Sequence, residues 1–382
     1  MSSLLRLGVL SNSGSGDPEV LGVKIDRANS NPYTAVTYTD GATGLQPSTN
    51  VGTTFTDNGW QDRLEDIVGM RPCLFKNGAV QYYLYTDDFT KKADSNVADI
   101  TSGLDGDVMI QFNHCWTNIS YDADYVYVKI SKYAKNGFSD YPFSYKGVVK
   151  NNFYVGVYDG SGYPLHSLSG KTPKGSMYRS EFRSYAQTNG TGYEILPYNK
   201  LMFLQILYLL RFKSLDCQSA LGRGYVDASS GLTVTTGTTN THGMCYGNTI
   251  IDNVTHIKCN GIEDLWGNAD QWVDGISTNA SKHILLQDGN FTDLEGTDSG
   301  AIPISDYLTN VFATNTLGFL PSLGGGSTTT YYCDFSYNSS SKVAKFGGSP
   351  TSGDMGGLFN IQIASTTTSA NGNIGARLCY CG

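Results

Sequence analysis

The chain has 382 residues, of which 40% are hydrophobic and only 16% are charged, with 45 glycines and 26 tyrosines. This composition predicts a β-rich protein with a real core and many polar loops. The formal net charge is −8 without any basic block or stripe, which argues against nucleic acid as a partner.

Residues 1–65 combine turn-forming residues with short apolar patches such as YTAVTYT at 33–39. We expect a small β-rich N-terminal module here, used for attachment or oligomerisation, with one candidate helix at 59–70. The first residues lack the apolar core and cleavage site of a signal peptide, which predicts synthesis in the cytoplasm without export. Eight scattered cysteines are therefore expected as free thiols.

A larger domain is expected from residue 66 to 382. Short runs of β-branched and aromatic residues predict four strands, at 80–85, 106–112, 124–133 and 153–159. One strong helix is predicted at 197–216, and it is apolar nearly all round, which is typical of a buried central element. Its apolar core, 201–210, is too short to span a bilayer, so membrane insertion is not expected.

The C-terminal tail is rich in Ser, Thr, Gly and Asn, yet its apolar residues alternate with polar ones. Phe359, Ile361 and Ile363 occupy every second position of LFNIQIAS, and NIGARLCY (373–380) repeats the pattern. A period of two predicts strands with one buried face. The polar residues between the apolar ones are expected to face water or a ligand. A solvated sheet face without a partner is the alternative, because one-sided sheets are common.

Several motifs resemble one family. GIEDLWGNADQWVDG (261–275) resembles the signature of C-type-lectin-like domains, in the branch shared with formylglycine-generating enzymes. The stretches 180–199 and 218–225 resemble the same domain in phage tail proteins. VAKFGGSP through GARL (343–378) is similar to the variable region of proteins diversified by retroelements, including tropism determinants on phage tail fibres. The resemblance covers about residues 66–382.

The resemblance implies an α+β fold, namely a C-type-lectin-like domain with one or two buried helices and antiparallel strands. Trp266 and Trp272 would pack its core. It also implies a tail receptor-binding protein that attaches to a bacterial surface protein or glycan through a hypervariable region at about 330–378. In such families an adenine-specific copying step rewrites Asn codons, a step that cannot by itself produce Met355 or Gln362. The candidate ligand-binding positions are Tyr331, Tyr332, Asp334, Tyr337, Ser349, Pro350, Thr351, Ser352, Met355, Asn360, Gln362, Ala364, Ser365, Ser369 and Asn371.

The same resemblance implies a homotrimer at a virion tail tip or fibre, contacts with other tail proteins, no catalysis and no cofactor. Two alternatives concern bound metals. The acidic, glycine-rich stretch 288–300 is a candidate for a structural Ca²⁺, and Cys379 with Cys381 is the only close pair that copper chemistry of the formylglycine type could use. Two other functions stay open: a structural fibre or baseplate protein without receptor contact, and a bacterial surface adhesin of the same fold.

Overall fold

A computed structural model describes residues 16–382, and most of their regular structure is β-sheet. The strands of the first half are β1 (Val20–Asp26), β2 (Val36–Asp40), β3 (Thr49–Val51), β4 (Thr54–Thr56), β5 (Arg71–Lys76), β6 (Ala79–Tyr85), β7 (Asp88–Lys92), β8 (Asp107–Asn113), β9 (Trp116–Tyr121), β10 (Tyr125–Ser131), β11 (Ser144–Tyr145), β12 (Val148–Val149) and β13 (Asn152–Gly156).

The strands of the second half are β14 (Tyr193–Ile195), β15 (Lys258–Cys259), β16 (Ile262–Glu263), β17 (Asp270–Thr278), β18 (Ile284–Leu286), β19 (Thr297–Asp298), β20 (Asp306–Val311), β21 (Pro321–Gly324), β22 (Phe335–Asn338), β23 (Val343–Gly347), β24 (Gly357–Ser365), β25 (Ile374–Ala376) and β26 (Leu378–Tyr380). The α-helices are α1 (Trp60–Val68), α2 (Arg179–Gln187), α3 (Tyr198–Phe212) and α4 (Cys217–Ala220), and 3₁₀ turns occupy Tyr141–Phe143 and Gly353–Met355.

Helix α3 confirms the buried central helix predicted from the sequence. All of its residues are buried, as expected for a helix that is apolar nearly all round. Pro197 precedes the first turn, where a missing N–H costs nothing. The helix ends at Lys213, which adopts φ 51° and donates its N–H to the Leu209 carbonyl. Within residues 16–382, no helix has the length and apolar character needed to cross a membrane.

Three large sheets surround this helix. They are a four-stranded sheet (β2-β1-β10-β9), a seven-stranded sheet (β14-β26-β13-β8-β5-β6-β7) and a nine-stranded sheet (β19-β18-β17-β23-β24-β22-β20-β21, with β25 beside β17). Strands β6, β8, β10 and β13 confirm the four strands predicted between residues 80 and 159.

A separate N-terminal module is not confirmed in the described part of residues 1–65. Strand β1 pairs antiparallel with β10, and Val23 lies opposite Val128. Val23 also belongs to the same buried apolar cluster as the side chains of α3. These strands are therefore part of one sheet with β9 and β10, although a role in attachment or oligomerisation stays a prediction.

Every residue of the tryptophan-rich segment 259–276 is buried. Trp266 and Trp272 are both fully buried, and their indole N–H groups donate to the carbonyls of Gly222 and Met177 at 3.1 and 3.3 Å. Every residue of β17, which carries Trp272, is buried. The core role of both tryptophans is therefore confirmed.

The expectation that the polar residues of NIGARLCY face water is wrong at Arg377. This side chain is fully buried, with Nη2 2.9 Å from Asp159 Oδ1 and Nε 2.8 Å from Gln271 Oε1. The reason lies in the topology, because β25 pairs with β17 of the nine-stranded sheet while β26 pairs with β13 and β14 of the seven-stranded sheet. A segment that crosses between two sheets is covered on both faces.

Candidate functional site

The outward side of the nine-stranded sheet brings several predicted positions together. In the parallel pair β22–β24, Tyr337 lies opposite Gln362, and in the antiparallel pair β23–β24 Gln362 lies opposite Lys345. Ile361 and Ile363 point to the other side and are buried, so the predicted alternation is confirmed over this part of β24. We call the outward side chains of Tyr307, Phe335, Tyr337, Lys345 and Gln362 the C-terminal face.

Aromatic side chains form one half of the C-terminal face. Tyr307 on β20 is paired with Phe335 on β22, and their rings meet edge to face with centroids 5.0 Å apart. Tyr337 follows two residues later on the same side of β22, and 56% of its surface is exposed. Rigid aromatic groups of this kind dominate the energetics of protein interfaces. Partial burial raises the pKa of the Tyr307 hydroxyl.

At the other half of this face, the charges of Lys345 and Asp270 compensate each other. The ammonium group of Lys345 contacts the carboxylate of Asp270, which is almost fully buried beneath it. Burial raises the pKa of Asp270, whereas Lys345 acts in the opposite direction. The face therefore presents aromatic and amide groups together with a neutralised lysine.

A loop at residues 349–355 borders the C-terminal face, and an upstream segment fixes its backbone. The Gly353 N–H donates to the Val226 carbonyl at 2.9 Å, and the Ala228 N–H donates to the Pro350 carbonyl at 2.8 Å. The Gln218 amide also donates to the Gly353 carbonyl at 3.0 Å. Three backbone attachments hold this loop in one conformation.

Arg223 adds a charged contact between the same two segments. Its guanidinium donates to both carboxylate oxygens of Asp227, at 2.6 and 3.0 Å, and also contacts the carboxylate of Asp354. The Arg223 side chain is 14% exposed and that of Asp354 is 57% exposed. The sequence analysis missed this group, because the two partners lie more than one hundred residues apart and no local pattern connects them.

Phe335 and Tyr307 were also missed as parts of the site. Phe335 could have been found, because it precedes Tyr337 by two residues and a strand places both on one side. Tyr307 becomes a neighbour only through the pairing of β20 with β22.

Ten of the fifteen predicted ligand-binding positions retain exposed surface. Tyr337, Thr351, Met355 and Asn371 are exposed, and Tyr331, Ser352, Gln362, Ala364, Ser365 and Ser369 are half-buried. Tyr337 and Gln362 adjoin each other, whereas Asn371 lies in a different turn, where its carbonyl accepts the Ser176 N–H at 3.0 Å. A role in binding stays a prediction for all ten.

The other five predicted positions are buried, so they cannot serve as contact residues in this structure. They are Tyr332, Asp334, Ser349, Pro350 and Asn360. The Tyr332 ring packs against Phe359 with centroids 5.3 Å apart, inside the core. The Asp334 carboxylate accepts the Phe359 N–H at 2.6 Å, and burial raises its pKa well above the ordinary value. Both residues support β24 from within.

Asn360 is buried although it stands at a polar position of the alternating pattern. Its Nδ2 donates to the Met355 carbonyl at 2.5 Å, and its Oδ1 accepts from the Gln362 amide at 3.2 Å. The 349–355 loop thus covers the first half of β24. In that loop, Ser349 is turned inward and its N–H donates to the Ser352 hydroxyl at 2.8 Å.

The residues considered for metals have other partners. In the acidic stretch 288–300, Asp293 accepts from Arg179 and Arg183, and Asp298 lies 3.1 Å from His283. The eight cysteines are buried and free. Among them, Cys379 and Cys381 bring their sulfur atoms to 3.5 Å. The absence of cofactor and catalysis remains a prediction.

The solved structures that are similar to this chain include three variants of one protein. They are the P3c, U1 and I1 variants of Major Tropism Determinant, each 13% identical, with TM-scores of 0.27, 0.28 and 0.26. The matches cover 71% of this chain and 63% of each of those chains, which is less than two thirds of their length. At these scores the likeness establishes neither a shared fold nor a shared function.

No protein-family model matches the chain, and no curated protein matches it either. The described residues thus define a mostly β-sheet protein with few helices.

Proposed function

We propose that this chain is a receptor-binding protein of a phage or prophage tail, which attaches to a protein or glycan on a bacterial surface through the C-terminal face. The observation that carries the proposal is the face itself. Tyr307, Phe335, Tyr337 and Gln362 project outward from a sheet whose opposite side is packed into the core. The motifs similar to retroelement-diversified tail proteins support the choice of a phage tail over other binding proteins.

Diversification of this surface by a retroelement is part of the proposal. Replacing an exposed polar side chain changes the free energy of unfolding by about 0.5 kcal/mol or less, whereas replacing a buried one costs several times more. Variation is therefore tolerated at positions such as Tyr337 and Thr351, which are exposed. The neighbouring DNA tests this point, because a near-copy of the segment encoding 330–378 beside a reverse transcriptase gene is expected.

The proposal includes a homotrimer on the tail, in contact with other tail proteins, and binding without catalysis or a cofactor. Three copies at one tip would raise the overall affinity without any new contact, because later binding events become intramolecular. Size-exclusion chromatography with light scattering measures the state of the purified protein. A monomer at all concentrations would contradict this part.

Cell binding by the purified full-length chain tests the central claim. We expect saturable binding to some members of a panel of bacterial strains. Tyr337→Ala should weaken that binding by roughly tenfold or more, since aromatic anchors contribute at least about 1.4 kcal/mol each. Tyr133→Ala is the matched control, because Tyr133 is also 56% exposed but follows β10 on the four-stranded sheet.

The outcomes separate the alternatives. Equal weakening by both variants, or by neither, would remove the C-terminal face from the binding site. If no strain is bound while the protein assembles into tails, a structural fibre or baseplate protein becomes the better explanation. If the protein is instead found on the surface of the bacterium that makes it, a bacterial adhesin becomes the better explanation.

A further inference from the structure

A compact group of potential metal ligands lies beneath the segment that supports the 349–355 loop. His256, Glu263 and Asp264 are all buried, with 4%, 0% and 1% of their surface exposed. One donor atom from each side chain lies within 4.8 Å of the other two. Within residues 16–382 no other group of three such side chains converges in this way. His256 and Asp264 are closest, with Nδ1 and Oδ2 2.6 Å apart.

A second observation at the same place concerns the other oxygen of Asp264. Oδ1 of this carboxylate is buried and has no hydrogen-bond partner among the described residues. A charged oxygen removed from water without a partner is costly, and folded proteins rarely leave one so. Since Oδ2 is directed to His256, the free oxygen is available to a cation.

The carboxylate of Glu263 also has a lone pair that accepts no hydrogen bond. Its Oε2 accepts from the backbone N–H and the hydroxyl of Thr239, but its Oε1 accepts only the Gly237 N–H, at 2.6 Å. Each carboxylate oxygen can accept two bonds. One lone pair of Glu263 is therefore free in addition to those of Asp264 Oδ1.

Further titratable side chains lie around the group. The carboxylates of Asp159, Glu263 and Asp264 are buried close to two basic side chains, Arg377 and Lys258, and burial lowers the pKa of Lys258 to about 7. Arg377 lies 2.9 Å from Asp159, and the ammonium of Lys258 is directed to a backbone carbonyl 3.1 Å away. The three carboxylates and the two basic side chains are all buried from water.

We propose that His256, Glu263 and Asp264 form a binding site for a divalent transition-metal ion, with Zn²⁺ as the best match. One imidazole nitrogen and two carboxylates are a typical donor set for zinc, whereas calcium prefers oxygen ligands alone. The ion would be bound by the free oxygen of Asp264 and by Glu263, and His256 would exchange its hydrogen bond with Asp264 Oδ2 for a bond to the metal. The site is independent of the receptor-binding function proposed above.

Such an ion would stiffen the base of the 349–355 loop. The ring of Tyr225 stacks on His256, with centroids 5.5 Å apart and planes 8° apart. The next residue, Val226, accepts the Gly353 N–H. A metal bound at His256 is therefore connected, through Tyr225 and Val226, to the loop that borders the C-terminal face.

Metal analysis of the intact protein tests the proposal. The full-length chain is treated with a chelator, transferred to metal-free buffer and titrated with Zn²⁺ by calorimetry, and its metal content is measured. We expect one zinc ion per chain and a higher melting temperature in its presence, since a ligand that binds only the folded state stabilises it. Asp264→Asn and His256→Gln should each weaken binding by roughly tenfold or more.

Asp298→Asn is the matched control, because Asp298 and His283 form an exposed pair without a third ligand. It should leave zinc binding unchanged. Cobalt absorption of the wild type provides a measurement that does not depend on variants folding. Cobalt absorption bands typical of nitrogen and oxygen ligands would support the site. Thiolate-to-cobalt charge-transfer bands would instead assign the ion to cysteines and overturn the proposal. Folded wild type that binds no zinc, or folded variants that bind it as tightly, would overturn it as well.

Discussion

The pattern of alternating residues in the tail and the structure predict different effects on stability when Asn360 is replaced. The pattern places Asn360 with the outward polar residues, but in the structure it is fully buried under the 349–355 loop. Asn360→Ala is therefore expected to destabilise the protein clearly. Asn371→Ala makes the same chemical change at an exposed position and serves as the control.

The magnitude follows from the contacts of the amide. Alanine at 360 removes the bond from Nδ2 to the Met355 carbonyl and the bond that Oδ1 accepts from Gln362. Each hydrogen bond contributes about 0.5–1.5 kcal/mol, and former partners left unpaired in a buried site add to the cost. We expect a loss of about 2 kcal/mol in the free energy of unfolding, which is roughly a 30-fold change in the unfolding equilibrium.

Urea unfolding followed by circular dichroism measures both variants against the wild type. The midpoint for Asn360→Ala should fall while the slope stays constant, which indicates a change in stability alone. For Asn371→Ala a change within about 0.5 kcal/mol is expected. If the two variants were equally stable, Asn360 would be exposed to water, and the packing of the loop over β24 would be incorrect.

Three further results are expected. Arg377→Met should cost roughly 3–5 kcal/mol in urea unfolding, because it leaves Asp159 buried without its cationic partner. Tyr332→Ala, at a position first expected to contact ligand, should cost about 3–5 kcal/mol by the same measurement, because it leaves a cavity beside the core. Asp107 raises the pKa of His166, so this pair stabilises the fold fully below pH of about 6.5, and the contribution disappears as pH rises through the folded-state pKa. Unfolding of wild type and His166→Gln across pH should therefore differ most at low pH, and a constant difference would contradict the assignment.

Much of the regular structure follows from local sequence. The apolar residues of α3 appear on every side of the helix, which can be stable only in a core, and Pro197 marks where it begins. Strands β8 and β10 follow from short runs of β-branched and aromatic residues, and β24 follows from apolar residues with a period of two. The sequence also indicates the tryptophan-rich segment as core. Helix α2 was not predicted as a helix, because most of its residues are polar and it depends on tertiary contacts such as Arg179 with Asp293.

The candidate site is predictable only in part. Tyr337 and Gln362 follow from alternation, which is a property of the strand itself. Whether a polar position faces water depends on what covers the strand, and no periodicity reports that. Asp334 and Asn360 were therefore wrongly expected to be accessible to a ligand. Asn360 lies on the same side of β24 as Gln362 but is covered by the 349–355 loop, and both residues are satisfied by hydrogen bonds inside the protein.

The sequence by itself determined helix α3, several of the strands and which side of β24 holds the core, because these properties depend on neighbours a few residues apart. Only the tertiary structure decided that β1 pairs with β10, that Arg377 lies between two sheets, and that Tyr307 joins the C-terminal face. These contacts join residues that are distant in the chain. Their geometry depends on strand order and on the crossing of chain segments, which local composition does not encode.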